Sequence, residues 1–242
     1  MIDHTLSLQQ EEFFSKSVVR DKDGLLLPVY HGTGTNIEAF DPAFTGQGND
    51  QYGSGFYFTD NWDTAYGYAT ACLKANDGTT LPKPGGKDRP HVIEAYLDIH
   101  NPIYVDGKQY SNLRHIEITG PDVFQIFKRM PALYFSIYDD DCPNPLGDYF
   151  PEVWENPPTS VRQFNRYILR LAMEYFNSTD LFQLDCFFKE FPTEFREALH
   201  EVFGYDGVVV RFETSSHYVA WFPEQIKSID NLFPTRSKYM AY

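Results

Sequence analysis

Two short segments near the start of the chain carry side chains suited to gripping a flat, polar ligand. The first is Pro28-Val29-Tyr30-His31-Gly32-Thr33. The second is Tyr52-Gly53-Ser54-Gly55-Phe56-Tyr57-Phe58-Thr59-Asp60, followed by Ala65 and Tyr68. An imidazole accepts or donates a hydrogen bond near neutral pH. A tyrosine ring offers an aromatic face. Glycine at the end of an apolar strand lets a ligand or another backbone come close. Each residue alone has a plainer role, His31 as a loop residue beside a turn and Tyr57 and Tyr68 as core aromatics. The flanking Gly53, Gly55 and Thr59 favour a site over that plainer reading for Tyr57.

The elements that must position these groups follow from local patterns. Residues 6–18 predict a helix. Residues 17–30 predict a hairpin with Asp23-Gly24 in the turn and residues 25–30 as its second strand, leaving His31 at the strand end. Thr59-Asp60-Asn61 offers a cap for a helix from Trp62 to about Lys74, with Ala65, Tyr68, Ala69 and Cys72 along one side. Residues 77–90 predict a loop, made locally positive by Lys74, Lys83, Lys87 and Arg89. Residues 91–100 predict a strand ended by Asn101-Pro102.

From about residue 110 to 203 the pattern is mostly helical. Ser160 and Gln163 form a capping box for a helix carrying Val161, Phe164, Ile168, Leu171 and Tyr175. The aromatic and aliphatic residues within 124–138 read as core, and Asp139-Asp140-Asp141 as a solvated turn. Thr193 and Gly204 bracket a further helix. Residues 208–212 and 218–222 predict strands, the second stopped by Pro223. Ile226 is expected to bury while Lys227 faces water. Strands on both sides of a helical block predict one α+β domain over residues 1–242, a split sheet with a mainly helical insertion at 106–203.

The chain has 242 residues, enough for one sizeable core. A formal charge of −14 argues against nonspecific duplex binding, because phosphate contacts need basic surface. It suits a basic partner or target. No run of about 18 apolar residues is present, so no membrane contact is expected. The three cysteines, Cys72, Cys142 and Cys186, have no metal-ligand spacing. They fit a reducing, cytoplasmic setting, and no metal is expected.

The two glycine-marked segments resemble the NAD-binding half of an ADP-ribosyltransferase. The branch is the one that uses His and Tyr, as poly(ADP-ribose) polymerases and diphtheria toxin do. Similar domains occur in phages and bacterial toxins. The resemblance covers residues 17–105 and 204–232 and implies an ADP-ribosyltransferase-like fold with NAD as co-substrate. It implies that His31 holds a ribose, that Gly32 and Thr33 line the nicotinamide edge, and that Tyr57 and Tyr68 stack on the ring with Phe58 in the same pocket. Ala65 stands where some relatives carry a serine that bonds the nicotinamide amide.

The run from Ser215 to Pro223-Glu224-Gln225-Ile226-Lys227 resembles phage-type relatives. Counting back from Gln225, His217 occupies the slot that holds Glu in the polymerase-like enzymes. An imidazole accepts a hydroxyl but lacks a carboxylate's charge, which argues against polymer formation. Glu213 and Glu224 are the nearby carboxylates. The resemblance thus implies mono-ADP-ribosyl transfer to a protein or nucleic-acid acceptor, by a toxin or effector with a neutralising antitoxin partner. NAD glycohydrolysis, a catalytically silent NAD pocket and a packaged phage protein with an unused pocket are the alternatives.

Overall fold

The computed structural model describes residues 5–34, 37–45, 50–71, 90–109, 115–118, 120–130, 159–160, 162–163, 165–166, 169, 180–183, 188 and 191–241. These group into two compact units. One comprises Met1–Phe44, Gly55–Gln109 and Asp206–Tyr242, and the other Thr45–Ser54 and Tyr110–Tyr205.

The first unit is built on a seven-stranded mixed sheet. Its strands are β1 (Val29–Thr33), β2 (Phe56–Thr59), β3 (His91–Leu97), β4 (Pro102–Asp106), β7 (Gly207–Arg211), β8 (Ser216–Ala220) and β9 (Ile226–Ser228), in the order β4-β7-β8-β2-β1-β3-β9. Only β4 and β7 run parallel. Side chains alternate across a strand. One face accordingly collects Val29, Phe56, Phe58, Ala95, Leu97, Val209, Tyr218, Ala220 and Ile226 into a core with Phe40 and Met240. The chain is an α+β protein of the ADP-ribosyltransferase-like type that the sequence predicts.

Two helices flank this sheet in sequence. α1 (Leu8–Phe13) is shorter than the predicted helix over 6–18. Ser7 caps it reciprocally with Gln10. It stops because Ser17 Oγ donates to Leu97 O at 2.6 Å and Val18 N to Ile99 O at 2.8 Å, which draws the chain onto the sheet. α2 (Trp62–Ala71) is capped by Asn61, whose side-chain oxygen accepts from Thr64 N at 2.9 Å.

The predicted hairpin is present as a short one: Arg20 bridges Leu26, Asp21 N donates to Leu25 O at 2.8 Å and Leu27 N to Val19 O at 3.1 Å, and Gly24 turns with a φ of 83°. The strand itself begins at Val29, so His31 lies within β1 rather than beyond its end. Asn101-Pro102 does not close β3. β3 ends at Leu97, and Pro102 opens the edge strand β4, where a missing N–H costs nothing. The intervening amides of His100 and Asn101 donate to the Asp206 carboxylate at 2.8 and 2.9 Å.

Lys227 is fully buried rather than facing water. The C-terminal segment folds over it, and its ammonium donates to Ser237 O and, at 3.0 Å, to Tyr239 O. The buried Asp98 carboxylate holds the same segment through Arg236 at 2.5 Å. Burial pulls the Lys227 pKa down to about 8. Between pH 8 and about 10.5, the ordinary lysine value, the unfolded chain binds a proton that the folded chain does not. Lys227 therefore adds stability as pH rises through that window. Thermal unfolding of wild type and Lys227→Met at pH 7.5 and 10 should show wild type gaining relative to the variant. A constant difference would contradict this.

In the second unit, β5 (His115–Ile118) pairs with β6 (Asp180–Gln183), so the block predicted as mostly helical also contains strand. α3 (Gly120–Lys128) and α4 (Pro192–Phe203) are joined by the Arg129–Glu201 ion pair at 2.6 Å. Gly204 ends α4 with a φ of 72°, a left-handed conformation open to glycine at little cost. Thr193 lies inside α4, with Phe191 at the cap position. Ser160 Oγ accepts from Gln163 N at 3.2 Å, but Gln163 Oε1 accepts from Thr159 N rather than Ser160 N. The helix beyond Ala71, the basic loop residues, the core of the Ser160 helix, residues 131–138, Asp139-Asp140-Asp141 and the three cysteines lie outside the described residues.

Candidate active site

The sheet splits between β1 and β2. The two strands share one paired position, Tyr30 opposite Thr59, whereas β1 pairs with β3 along its whole length. Beyond Tyr30, a side chain takes over from the backbone ladder. His31 Nδ1 lies 2.8 Å from the Tyr57 carbonyl oxygen. A carbonyl only accepts, so Nδ1 carries the proton. In the neutral ring Nε2 is therefore left as an acceptor.

The imidazole is held on two further sides. Phe40 meets it edge-on at 5.0 Å and Phe58 lies tilted at 5.4 Å. Burial pushes its pKa below the ordinary histidine value, and the bond to Tyr57 opposes this only in part. Phe58 is 2% exposed and packs with Phe40 in the core, so its ring backs His31.

Gly32 is the point where α2 rests on β1. A Cβ there would come within 2.7 Å of Ala69 N and 2.8 Å of Ala65 C, and closer still to Ala65 O. Ala65 and Ala69 are both buried at this contact. Thr33 is buried opposite His91. Tyr57 is half-buried opposite Val219. Tyr68 stands 60% exposed on α2.

His217 sits in β8 between Thr59 of β2 and Val210 of β7. Cross-strand partners share a face, as do residues two apart on one strand. Tyr57, Thr59 and His217 therefore lie on one face, with His217 diagonal to Tyr57. His217 meets the Phe212 ring edge-on at 4.9 Å. Burial lowers its pKa, while the Asp60 carboxylate acts in the opposite direction.

Glu213 is elsewhere. It lies in the β7–β8 turn with its side chain 79% exposed and paired to Lys108 at 2.7 Å. Glu224 belongs to the turn beyond the opposite end of β8. Phe40 and Asp60 are the neighbours that the sequence did not mark as site residues. Asp60 had a local signal, a carboxylate directly after the Tyr57 strand. Phe40 had none.

The sheet opens at a histidine, with a tyrosine-bearing strand beside it and a helix seated on the adjoining glycine. A family model described as ADP-ribosyltransferase in polyvalent proteins matches residues 21–235, and the chain belongs to that family. The match also runs through residues 106–203, which the resemblance read from the two motifs does not cover. No curated protein and no solved structure matches.

Proposed function

We propose that the chain moves a single ADP-ribosyl group from NAD to a macromolecular acceptor, releasing nicotinamide. The observation that carries this is the His31 imidazole closing the split sheet. Its Nδ1–H is committed to Tyr57 O, which leaves Nε2 to accept a ribose hydroxyl. Tyr57 and Tyr68 supply ring faces for the nicotinamide, and Gly32 and Thr33 its edge. The bond from the ribose anomeric carbon to nicotinamide breaks, and nicotinamide leaves with the electron pair. The acceptor then bonds to that carbon and loses its proton. His217 takes the third role as a neutral acceptor. The exposure and ion pairing of Glu213 favour His217 for that role.

Residues 1–242 act in this reading as one domain, whose insertion at 106–203 selects the acceptor, protein or nucleic acid, or meets a neutralising partner. The resemblance of its motifs to phage and toxin domains supports a toxin or effector acting in the cytoplasm. Among the described residues no helix is long and apolar enough to cross a membrane, and His, Cys, Asp and Glu form no group of three or more that could hold a metal.

Labelled NAD incubated with purified protein and cell lysate tests the reading. Label bound to a polymer, and sensitive to protease or nuclease, identifies transfer and its acceptor. Free labelled ADP-ribose alone identifies a glycohydrolase. No nicotinamide release at high protein concentration overturns both, and unchanged activity in chelator is expected.

The pH profile follows from the two histidines. Both titrate below the ordinary value of about 6.5, so activity should hold a plateau through pH 7 and fall only under more acid conditions. Protonation removes the acceptor and sets positive charge beside an electron-poor ribose. His217→Ala should make the acid limb shallower, since one of two protons no longer counts. An acid limb already present above pH 7 would contradict the assignment.

A further inference from the structure

We propose that Asp60 supplies the negative charge of the His217 corner, acting through His217 as a positioning residue; this rests on the reading of His217 given above. The polymerase-like relatives put a carboxylate in the slot that His217 fills; here Glu213 is exposed and paired to Lys108, and Glu224 lies beyond the other end of β8. Asp60 directly follows Thr59, the cross-strand partner of His217. Its Oδ1 accepts from Ser216 N at 2.8 Å, and its own N–H donates to Ser216 O at 3.3 Å. Ser216 is the residue immediately before His217. The carboxylate therefore fixes the start of β8 and faces the strand that carries the imidazole.

A simpler role is already taken. The cap of α2 is Asn61, which bonds Thr64 N, so Asp60 is not needed there. The other charged groups around His217 are accounted for. On β7, Arg211 pairs in register with Ser216 but lies 5.2 Å from the Tyr104 ring. In the β7–β8 turn, Glu213 pairs with Lys108. On β1, the Tyr30 hydroxyl is engaged with Glu94 of β3. Asp63 is exposed on α2. Asp60 is thus the anionic group tied directly to the His217 segment. Its field makes the His217 imidazole a stronger acceptor, and through that imidazole it stabilises the positive charge that develops when nicotinamide leaves.

Asp60→Asn separates charge from scaffolding, because the amide oxygen still accepts from Ser216 N. The His217 pKa is read by NMR titration of its imidazole in wild type and Asp60→Asn, without reference to turnover. It is expected to fall by about half a unit or more in the variant. Single-turnover nicotinamide release should drop by about tenfold or more, with NAD affinity changed by less than about threefold. The acid limb should move to lower pH. In a His217→Ala background, Asp60→Asn should have little further effect, since coupled residues are not additive.

An unchanged His217 pKa and rate in folded Asp60→Asn would overturn the proposal while leaving the function intact. A pKa shift with normal turnover would overturn the catalytic part. Absence of NAD cleavage by wild type would overturn the functional reading and the catalytic part with it, leaving the pKa shift as a purely electrostatic result.

Discussion

Gly32→Ala should destabilise the protein by about 3 kcal/mol and abolish NAD cleavage. The added methyl would meet Ala69 N and Ala65 C at 2.7 and 2.8 Å. These are helix backbone atoms, so no rotamer change gives relief. α2 has to move as a body, carrying Tyr68 away from β1 and β2. Gly67, on the same helix, is the control. Nothing lies within 4 Å of a Cβ built there, so Gly67→Ala should be neutral or stabilise by about 0.5–1 kcal/mol through helix propensity. Urea denaturation of both variants measures the contrast. Similar stabilities for the two would show that α2 is not seated on Gly32 in solution.

Two substitutions at His31 should separate its two nitrogens. In His31→Asn the side-chain NH2 stands near the position of Nδ1 and can still donate to Tyr57 O, but no atom replaces Nε2. The variant should fold close to wild type and lose about 100-fold or more in single-turnover NAD cleavage. In His31→Gln the longer side chain reaches further toward the Nε2 position but gives up the bond that closes the split. That removes one hydrogen bond from the Tyr57 carbonyl, at about 1 kcal/mol. It should be the less stable and the more active of the two. Thermal unfolding and nicotinamide release, measured in parallel, decide the matter. Asparagine-variant activity near wild type would remove Nε2 from the chemistry.

The periodic parts of the fold were legible in the sequence. Val208, Val209 and Val210 announce a buried strand, and all three are buried in β7. The glycine-marked segments fall in β1 and in the run into β2, and the helix expected from Trp62 is α2. What escaped depends on contacts between distant residues. Lys227 reads as a solvent-facing lysine until residues 237 and 239 supply carbonyls for it. The start of β1 was misread because apolar residues from Leu25 onward suit a strand, whereas β3 pairs only from Val29. His31 and Tyr57 were visible by type, but the bond between them spans 26 positions. The setting of His217 could be read only once β2 and β7 lay on either side of it.

The order of strands in space differs from their order of synthesis, and this has a consequence in time. β7 and β8 lie between β4 and β2, yet they are translated after all of β1 to β6. A nascent chain that has emerged only as far as residue 205 has β2, β1 and β3 to pair with one another, with β2 open on one side and β4 without its partner β7. It also lacks His217. β4 joins the β2-β1-β3 strands in one sheet only when residues 207–220 slot between them. A chain cut short before β8 therefore carries exposed strand edges of the kind that favour aggregation or degradation.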